Sequence, residues 1–445
     1  MFHNLKMNIP EEVGIILKTL QQANFEAYVV GGCVRDALLG REANDFDVTT
    51  NAEPHEIKEL FTKTIDTGLK HGTVTVRINH KSYEVTTFRI DGEYLDNRHP
   101  ESVTFTKSLK EDLRRRDFTI NAFAYNDKDG LVDYFDGLND LKNKVIRSID
   151  DPYKRFNEDG LRILRAIRFS AQLGFEIEDN TKKAMKELSY LLKNISKERI
   201  RDEFVKILMS EHPEKLNEAR ELGLTKYFLS DFDILFDTKQ ENPHHIYDVG
   251  RHTIEAIKVS KKDLIIRLSL LFHDFGKPGT KTYDKKGIAH FYKHAILSEN
   301  LANLNLKSLK FPNLIIKEVC FLIAHHDDII LPKEKYVRRA INKISPELFP
   351  LLLEIRRCDI MAQSDLDKEK RLNDNKLIEE YYLKIMKNED CLSLKDLAVN
   401  GDDLKSLGFK GKEIGKILSR MLDVVIDEPN KNSKNYLLSN IEIFK

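Results

Sequence analysis

Net charge is missing from this chain: 72 basic and 72 acidic residues cancel over 445 positions. A uniformly basic surface is therefore excluded, although local excess is not. Lysine and arginine do crowd particular segments, among them Arg114-Arg115-Arg116 and the stretch from Arg162 to Arg168. Cysteine is also scarce. Cys33, Cys320, Cys358 and Cys391 are scattered and form no Cys-x-x-Cys pair, which excludes a zinc ribbon and points to a reducing compartment. No run approaches the roughly 18 apolar residues that would cross a bilayer. The N-terminus has no uninterrupted apolar core behind a basic start, which argues against a signal peptide. Internal repeats and low-complexity tracts are absent as well. These absences predict a cytoplasmic protein with no membrane partner.

What remains is ordinary globular material, 41% hydrophobic and 32% charged, long enough for two to four domains. To about residue 150 the pattern mixes short strands with helices. Residues 74–78 and 83–88 alternate as strands do, with 79–82 as the turn between them. From about residue 151 the pattern is helical, with helices expected over 158–173, 181–192 and 196–209, the last capped by Ser196. The expectation is an α+β protein: an α/β head with a short mixed sheet over 1–150, then an all-helical body. The body divides into a neck (151–240), a histidine-rich region (241–370) and a tail (371–445).

The densest chemistry lies near the start. A strand-like run, Ala27-Tyr-Val-Val30, leads into Gly31-Gly32-Cys-Val-Arg35-Asp36-Ala-Leu-Leu-Gly40, and then Asp45-Phe-Asp47 opens a second strand. Residues i and i+2 of a strand share a face, so Asp45 and Asp47 project together. Two converging carboxylates repel unless a cation lies between them, and Mg²⁺ prefers oxygen ligands. Glycines let a backbone approach phosphate, and Arg35 adds a fixed charge. Each feature alone also fits a bland reading, a surface acidic pair or a turn. Thr67-Gly-Leu-Lys-His71-Gly-Thr-Val74 fits phosphate contact or a hairpin turn equally. Glu84 offers a third carboxylate on its strand.

In the neck, Asp159 and Arg162 stand three residues apart on an expected helix and so face the same way. An acceptor beside a donor fork can read a base edge. Cytosine and adenine each present an exocyclic amine beside a bare ring nitrogen, so Asp159 can accept from the amine while Arg162 donates to the ring. Uracil and guanine reverse both groups, and each frustrated contact costs about 1–3 kcal/mol in a pocket. Arg165 and Arg168 continue the face and could bind triphosphate or hold Asp159. An ordinary salt bridge is the plainer alternative for the residues by themselves.

The order from Gly31 to Asp47, together with Asp112-Leu-Arg-Arg-Arg116-Asp117-Phe-Thr-Ile-Asn-Ala and Arg155-Phe-Asn-Glu158-Asp159-Gly-Leu-Arg162, resembles the bacterial class II CCA-adding enzymes and their poly(A) polymerase relatives. By that resemblance Asp45 and Asp47 bind Mg²⁺. Gly32, Arg35, Arg116, Asp159, Arg162, Arg165 and Arg168 contact the incoming nucleotide. The implied reaction is attack of a tRNA 3′-hydroxyl on the α-phosphate of CTP or ATP, with loss of pyrophosphate. Arg89-Ile-Asp-Gly-Glu-Tyr94-Leu-Asp-Asn-Arg98-His-Pro100 resembles the flexible loop that CC-adding enzymes lack. Residues 400–415 resemble the family's tRNA-binding tail, and no basic extension typical of poly(A) polymerase is present. CCA addition is therefore expected, with A-only addition as the nearest rival, then poly(A) polymerase.

A second constellation follows. His252, His273-Asp274, His294, His325-His326 and Asp359 occur in the order used by HD-domain phosphohydrolases, and Leu-Leu-Phe-His273-Asp274-Phe-Gly-Lys-Pro278 resembles the motif that defines them. Imidazoles and carboxylates together suit a transition metal. The resemblance implies a metal site at these seven residues and leaves open whether it hydrolyses RNA ends or only scaffolds tRNA. It also supplies a rival from a different class: a phosphohydrolase whose head merely binds RNA.

Overall fold

The computed structural model describes residues 6–43, 45–92 and 101–445, which divide into two compact units, 1–228 and 229–445. The first unit opens with α1 (Glu11–Gln22), β1 (Ala27–Val30), α2 (Gly32–Leu38), β2 (Asp47–Thr50) and α3 (Pro54–Leu60). Next come β3 (Thr64–Gly68), β4 (Thr73–Ile78), β5 (Lys81–Thr87), β6 (Arg89–Asp91), β7 (Val103–Phe105) and α4 (Leu109–Arg114). After β8 (Phe123–Asn126), β9 (Gly130–Asp133), α5 (Gly137–Asn143) and β10 (Val145–Ile146), helices dominate. These are α6 (Pro152–Glu158), α7 (Leu161–Leu173), α8 (Asp179–Glu187), α9 (Lys197–Leu208) and α10 (Lys215–Glu221), with one short strand, β11 (Glu176–Ile177).

A seven-stranded sheet runs in the order β3-β4-β5-β2-β1-β8-β9, antiparallel throughout except for the parallel β2–β5 pair. Asn79 and His80 join β4 to β5 at positive φ, the two-residue turn that matches strand twist. The register sets Val30 opposite Asp47 and Val48 opposite Val85. The acidic start of β2 thus lies beside the end of β1 and the Glu84 position of β5. Tyr28, Val30, Phe88, Leu113 and Ala124 bury one face of the sheet against α4.

The helical expectations need three corrections. The helix expected over 181–192 ends at Glu187, and a 3₁₀ segment, Ser189–Asn194, follows it. Residues 158–173 are not one helix, because α6 ends at Glu158, Asp159 is extended (φ −140°, ψ 104°), and α7 starts at Leu161. Ser196 does precede α9, but its hydroxyl makes no capping bond.

The second unit is helical apart from a two-stranded ribbon, β12 (Thr282–Tyr283) with β13 (Ala289–His290). Its first helices are α11 (Val249–Lys258), α12 (Leu264–Phe272), α13 (Lys277–Thr280), α14 (His294–Ser308) and α15 (Asn313–His325). They continue as α16 (Glu334–Ile344), α17 (Phe349–Met361), α18 (Lys368–Lys387), α19 (Gly401–Ser406), α20 (Lys412–Asp427) and α21 (Lys434–Ser439). A separate apolar cluster, including Val399, Leu404, Met421, Val425 and Leu437, holds the last three together. Among the described residues no helix is long and apolar enough to cross a membrane. The four cysteines are free and buried.

Candidate active site

The chain leaves β1 through Gly31, whose backbone (φ 81°, ψ −131°) an L side chain rarely adopts. A Cβ there would fall 2.8 Å from Arg116 Nη1, so the glycine is what lets that guanidinium lie against the turn. Arg116 Nε is buried with no hydrogen-bond partner, and burial holds the group's pKa below the usual guanidinium value. Arg116 therefore keeps donor capacity in reserve.

Phe46 is buried while Asp45 and Asp47 on either side are exposed, although β2 begins only at Asp47 and Asp45 precedes the strand. Although Asp47 reaches solvent, the surrounding protein partly desolvates its carboxyl and pushes its pKa up, Arg116 opposes the shift and Asp45 adds to it. Glu84 is pushed up as well, by burial and then by Asp47 and Asp45. The three carboxylates do not, however, gather within 4.8 Å of one another. Glu84 does not line the cavity that Asp45 and Asp47 share.

Asp117 organises the basic wall. It accepts from Arg165 Nε at 2.7 Å, Asn121 Nδ2 at 3.0 Å and the Phe118 backbone N–H at 2.9 Å. Burial alone would raise its pKa, but Arg165 and Asn121 outweigh it and hold the carboxyl well below its ordinary range. Asn121 in turn accepts from Arg35 Nη1 at 2.5 Å, and Arg35 also pairs with Asp36 at 2.8 Å. The Arg35, Arg165 and Arg168 guanidinium groups lie 5.1, 5.4 and 4.1 Å from the Phe169 ring centroid. Burial lowers the Arg168 pKa to about 10.

Asp159 and Arg162 both face this space, although not by helical spacing. Asp159 Oδ1 accepts from the Leu161 N–H at 3.0 Å and Oδ2 from Arg199 Nη2 at 2.8 Å. Arg162 donates to Glu158 Oε2 at 2.7 Å and to the Arg115 carbonyl at 2.8 Å. All nine predicted head and neck residues, Gly32, Arg35, Asp45, Asp47, Arg116, Asp159, Arg162, Arg165 and Arg168, line one cavity of about 610 Å³. Arg199 and Lys206, on α9, line it too, although neither is among the predicted site residues. The 67–74 segment turns between β3 and β4 outside the cavity lining. Most of the loop-like 89–100 stretch, residues 93–100, falls outside the described residues.

In the second unit the histidines converge on Asp274. Its Oδ2 lies 3.2 Å from His273 Nε2 and 3.7 Å from His252 Nε2, and its Oδ1 lies 3.4 Å from His294 Nε2. His294 and His326 oppose Nε2 to Nε2 at 3.3 Å, and Asp359 Oδ1 lies 2.9 Å from His252 Nε2. His252–His273–Asp274 and Asp274–His294–His326 each gather their ligand atoms within 4.8 Å. His273 Nε2 and Asp274 Oδ2 are buried and meet only through ion pairs, with each other at 3.2 Å and from Asp274 to Lys277, so imidazoles and a carboxylate share a dry pocket of the kind that suits a cation. Burial would lower the His273 pKa, but Asp274 and Asp359 push it up to about 10. Lys277 Nζ approaches Asp274 Oδ2 at 2.7 Å and Gln240 Oε1 at the same distance.

His325 is a correction. It bonds Asp328 at 2.9 Å and lies outside both clusters, because consecutive residues at the end of α15 point in different directions. Two neighbours were not legible in the sequence. His245 packs edge-on to His252 with centroids 5.2 Å apart, and Asp327 joins Asp274, His294, His326 and Asp359 in lining a cavity of about 870 Å³.

Comparison with known proteins adds an independent line. Residues 27–147 match the "Poly A polymerase head domain", residues 174–235 the "Probable RNA and SrmB- binding site of polymerase A", and residues 282–441 tRNA nucleotidyltransferase domain 2. The chain is 36% identical to a CCA-adding enzyme of Ligilactobacillus salivarius, over 97% of each chain. It is 56% identical to that of Lactobacillus helveticus over 44% of this chain, an alignment spanning about half (49%) of that protein. Among solved structures, the CCA-adding enzyme of Bacillus stearothermophilus in complex with CTP superposes with a TM-score of 0.73 at 28% identity, over 97% of each chain.

Proposed function

Because the chain belongs to the family of CCA-adding enzymes, we propose that its head cavity adds cytidine and then adenosine to tRNA 3′ ends from CTP and ATP, without a template. The observation that carries this reading is the shared cavity. Asp45 and Asp47 line the same 610 Å³ space as Asp159 and Arg162, a volume suited to one nucleotide. A base held at the second pair can therefore present its phosphates to the first.

In this reading Asp159 accepts from the exocyclic amine of cytosine or adenine, and Arg162 donates to the adjacent ring nitrogen. Gly32, Arg35, Arg116, Arg165 and Arg168 bind the triphosphate. Asp45 and Asp47 fit a divalent cation, for which we propose Mg²⁺, because two carboxylates on one cavity wall call for a cation between them, and the protein around Asp47 already disfavours its charged form. When bound, that ion supplies positive charge to the reacting phosphate oxygens. The 3′-hydroxyl gives up its proton to solvent, its oxygen bonds to the α-phosphorus, the bond from that phosphorus to the bridging oxygen breaks, and pyrophosphate leaves. We place the reaction in the cytoplasm. We assign catalysis to residues 1–150, base reading to 151–240 and tRNA contact to 371–445. Family membership favours CCA addition over A-only addition or poly(A) synthesis.

The test uses the full chain with tRNA lacking CCA, tRNA ending in CC, and an unrelated RNA, each with CTP, ATP or both, and products sized by gel. Addition of CCA to the first and A to the second is expected. Asp45→Ala and Asp47→Ala should abolish incorporation while CTP binding persists. Incorporation that survives both substitutions rules out a transferase head.

A second reading rests on the two half-sites around Asp274. The 241–370 region would hold a transition metal through His252, His273, Asp274, His294, His326 and Asp359, and act as a phosphohydrolase on RNA ends.

A further inference from the structure

Asp159 and Arg162 carry opposite charges within a single turn, and a carboxylate that collapsed onto its neighbouring guanidinium would have nothing left with which to read a base. In this structure they make no ion pair with one another, because each is engaged elsewhere. Arg162 donates to Glu158 and to the Arg155 and Arg115 carbonyls, three of its five N–H groups, which leaves donors for a base. Asp159 is held on one oxygen by the Leu161 N–H and on the other by Arg199 Nη2 at 2.8 Å. One donor on each oxygen fixes the plane of the carboxylate. About two of its four lone-pair directions remain for a ligand.

We infer that Arg199, on α9, is a positioning residue that keeps Asp159 available as the base acceptor and so sets selectivity for CTP and ATP over UTP and GTP; the inference rests on the base-reading proposal above. Two further observations support it. The same helix repeats the arrangement one turn on, where buried Glu203 accepts from Arg168 Nη1 at 2.9 Å. Residues 199 and 203 share a face, so one side of α9 steadies two cavity residues on or next to α7. The seam is also under-bonded. Arg199 Nη1, Arg168 Nε and Glu203 Oε2 are all buried without partners, which a purely structural pairing seldom leaves. Arg199 and Arg168 line the cavity, so the spare donors belong to residues at its wall.

The consequence falls on wrong bases more than on right ones. Uracil sets its O4 carbonyl against a fixed carboxylate, and that repulsion persists only while the carboxylate cannot turn away. Without Arg199, Asp159 keeps one anchor and can rotate toward Arg162. The physical effect of losing one anchoring hydrogen bond is up to about tenfold in the preference ratio.

The experiment measures kcat and KM for CTP and UTP on tRNA lacking CCA, with Mg²⁺, for the parent, Arg199→Lys, Arg199→Gln and Asp159→Ala. The CTP:UTP preference should fall about tenfold in Arg199→Gln, with Arg199→Lys intermediate and kcat for CTP falling less than the ratio. A merely structural role would lower kcat or stability and leave the ratio alone, which overturns the inference. If Arg199→Gln does not fold, Arg199→Lys decides: a ratio below the parent supports the inference, and a parental ratio overturns it. Asp159→Ala separates the two proposals. An unchanged ratio in that variant refutes base reading itself, and the inference with it. A collapsed ratio there, beside parental ratios at Arg199, refutes the inference alone.

Discussion

Replacing Asp117 with asparagine should cost stability in a way that pH can diagnose. The carboxylate meets Arg165 Nε at 2.7 Å and Arg165 Nη2 at 2.5 Å, together with Asn121 and a backbone N–H. Asparagine keeps the shape but removes the charge and turns a donor toward at least one of these donors. Stripping one partner from a buried pair costs about 3–5 kcal/mol. The Arg165 side chain retains 32% exposure, so water recovers part of that cost. A loss of about 2–3 kcal/mol follows. The folded pKa of Asp117 is depressed, so its contribution is fully present above the unfolded value of about 3.9 and is lost as pH falls toward the folded one. The gap between parent and Asp117→Asn should therefore hold from neutral pH down to about pH 5 and narrow below about pH 4. Urea melts followed by circular dichroism at several pH values measure the gap, and hydrogen exchange localises it to the first unit. A variant as stable as the parent at neutral pH, or a gap that widens on acidification, refutes the reasoning. Because Asn121 also holds Arg35, CTP affinity should fall in parallel.

Other substitutions probe single contacts. Gly31→Ala forces an unfavourable φ and displaces the Arg116 guanidinium; the backbone strain is about 1–2 kcal/mol. Isothermal titration should then show CTP affinity falling further than the melting temperature implies, and unchanged affinity would show that Arg116 does not touch the nucleotide. His326→Ala should lower the amount of transition metal retained by the purified protein, whereas His325→Ala should not, with metal content read by mass spectrometry. Equal losses from both would contradict the separate orientations of the two rings.

The sequence by itself determined most of the local chemistry here. Alternation predicted Asp45 and Asp47 on one side of Phe46, and both do line the cavity across that buried ring, although β2 begins only at Asp47. The motifs from Gly31 to Arg162 also carried the family resemblance, and the strand pair at 74–88 was legible from alternation and its turn. What helical spacing could not show was the break between α6 and α7. The Asp159–Arg162 pairing therefore rests on an extended residue and on partners from elsewhere in the chain. Arg199 lies 40 residues from Asp159 in sequence, and nothing local marks it as that residue's anchor. The same limit explains His325 and His326. Adjacent histidines look equivalent as a string, but helix geometry turns one toward Asp274 and the other toward Asp328. Periodicity fixes which way a side chain points from its own element, and only packing between distant segments fixes what it meets.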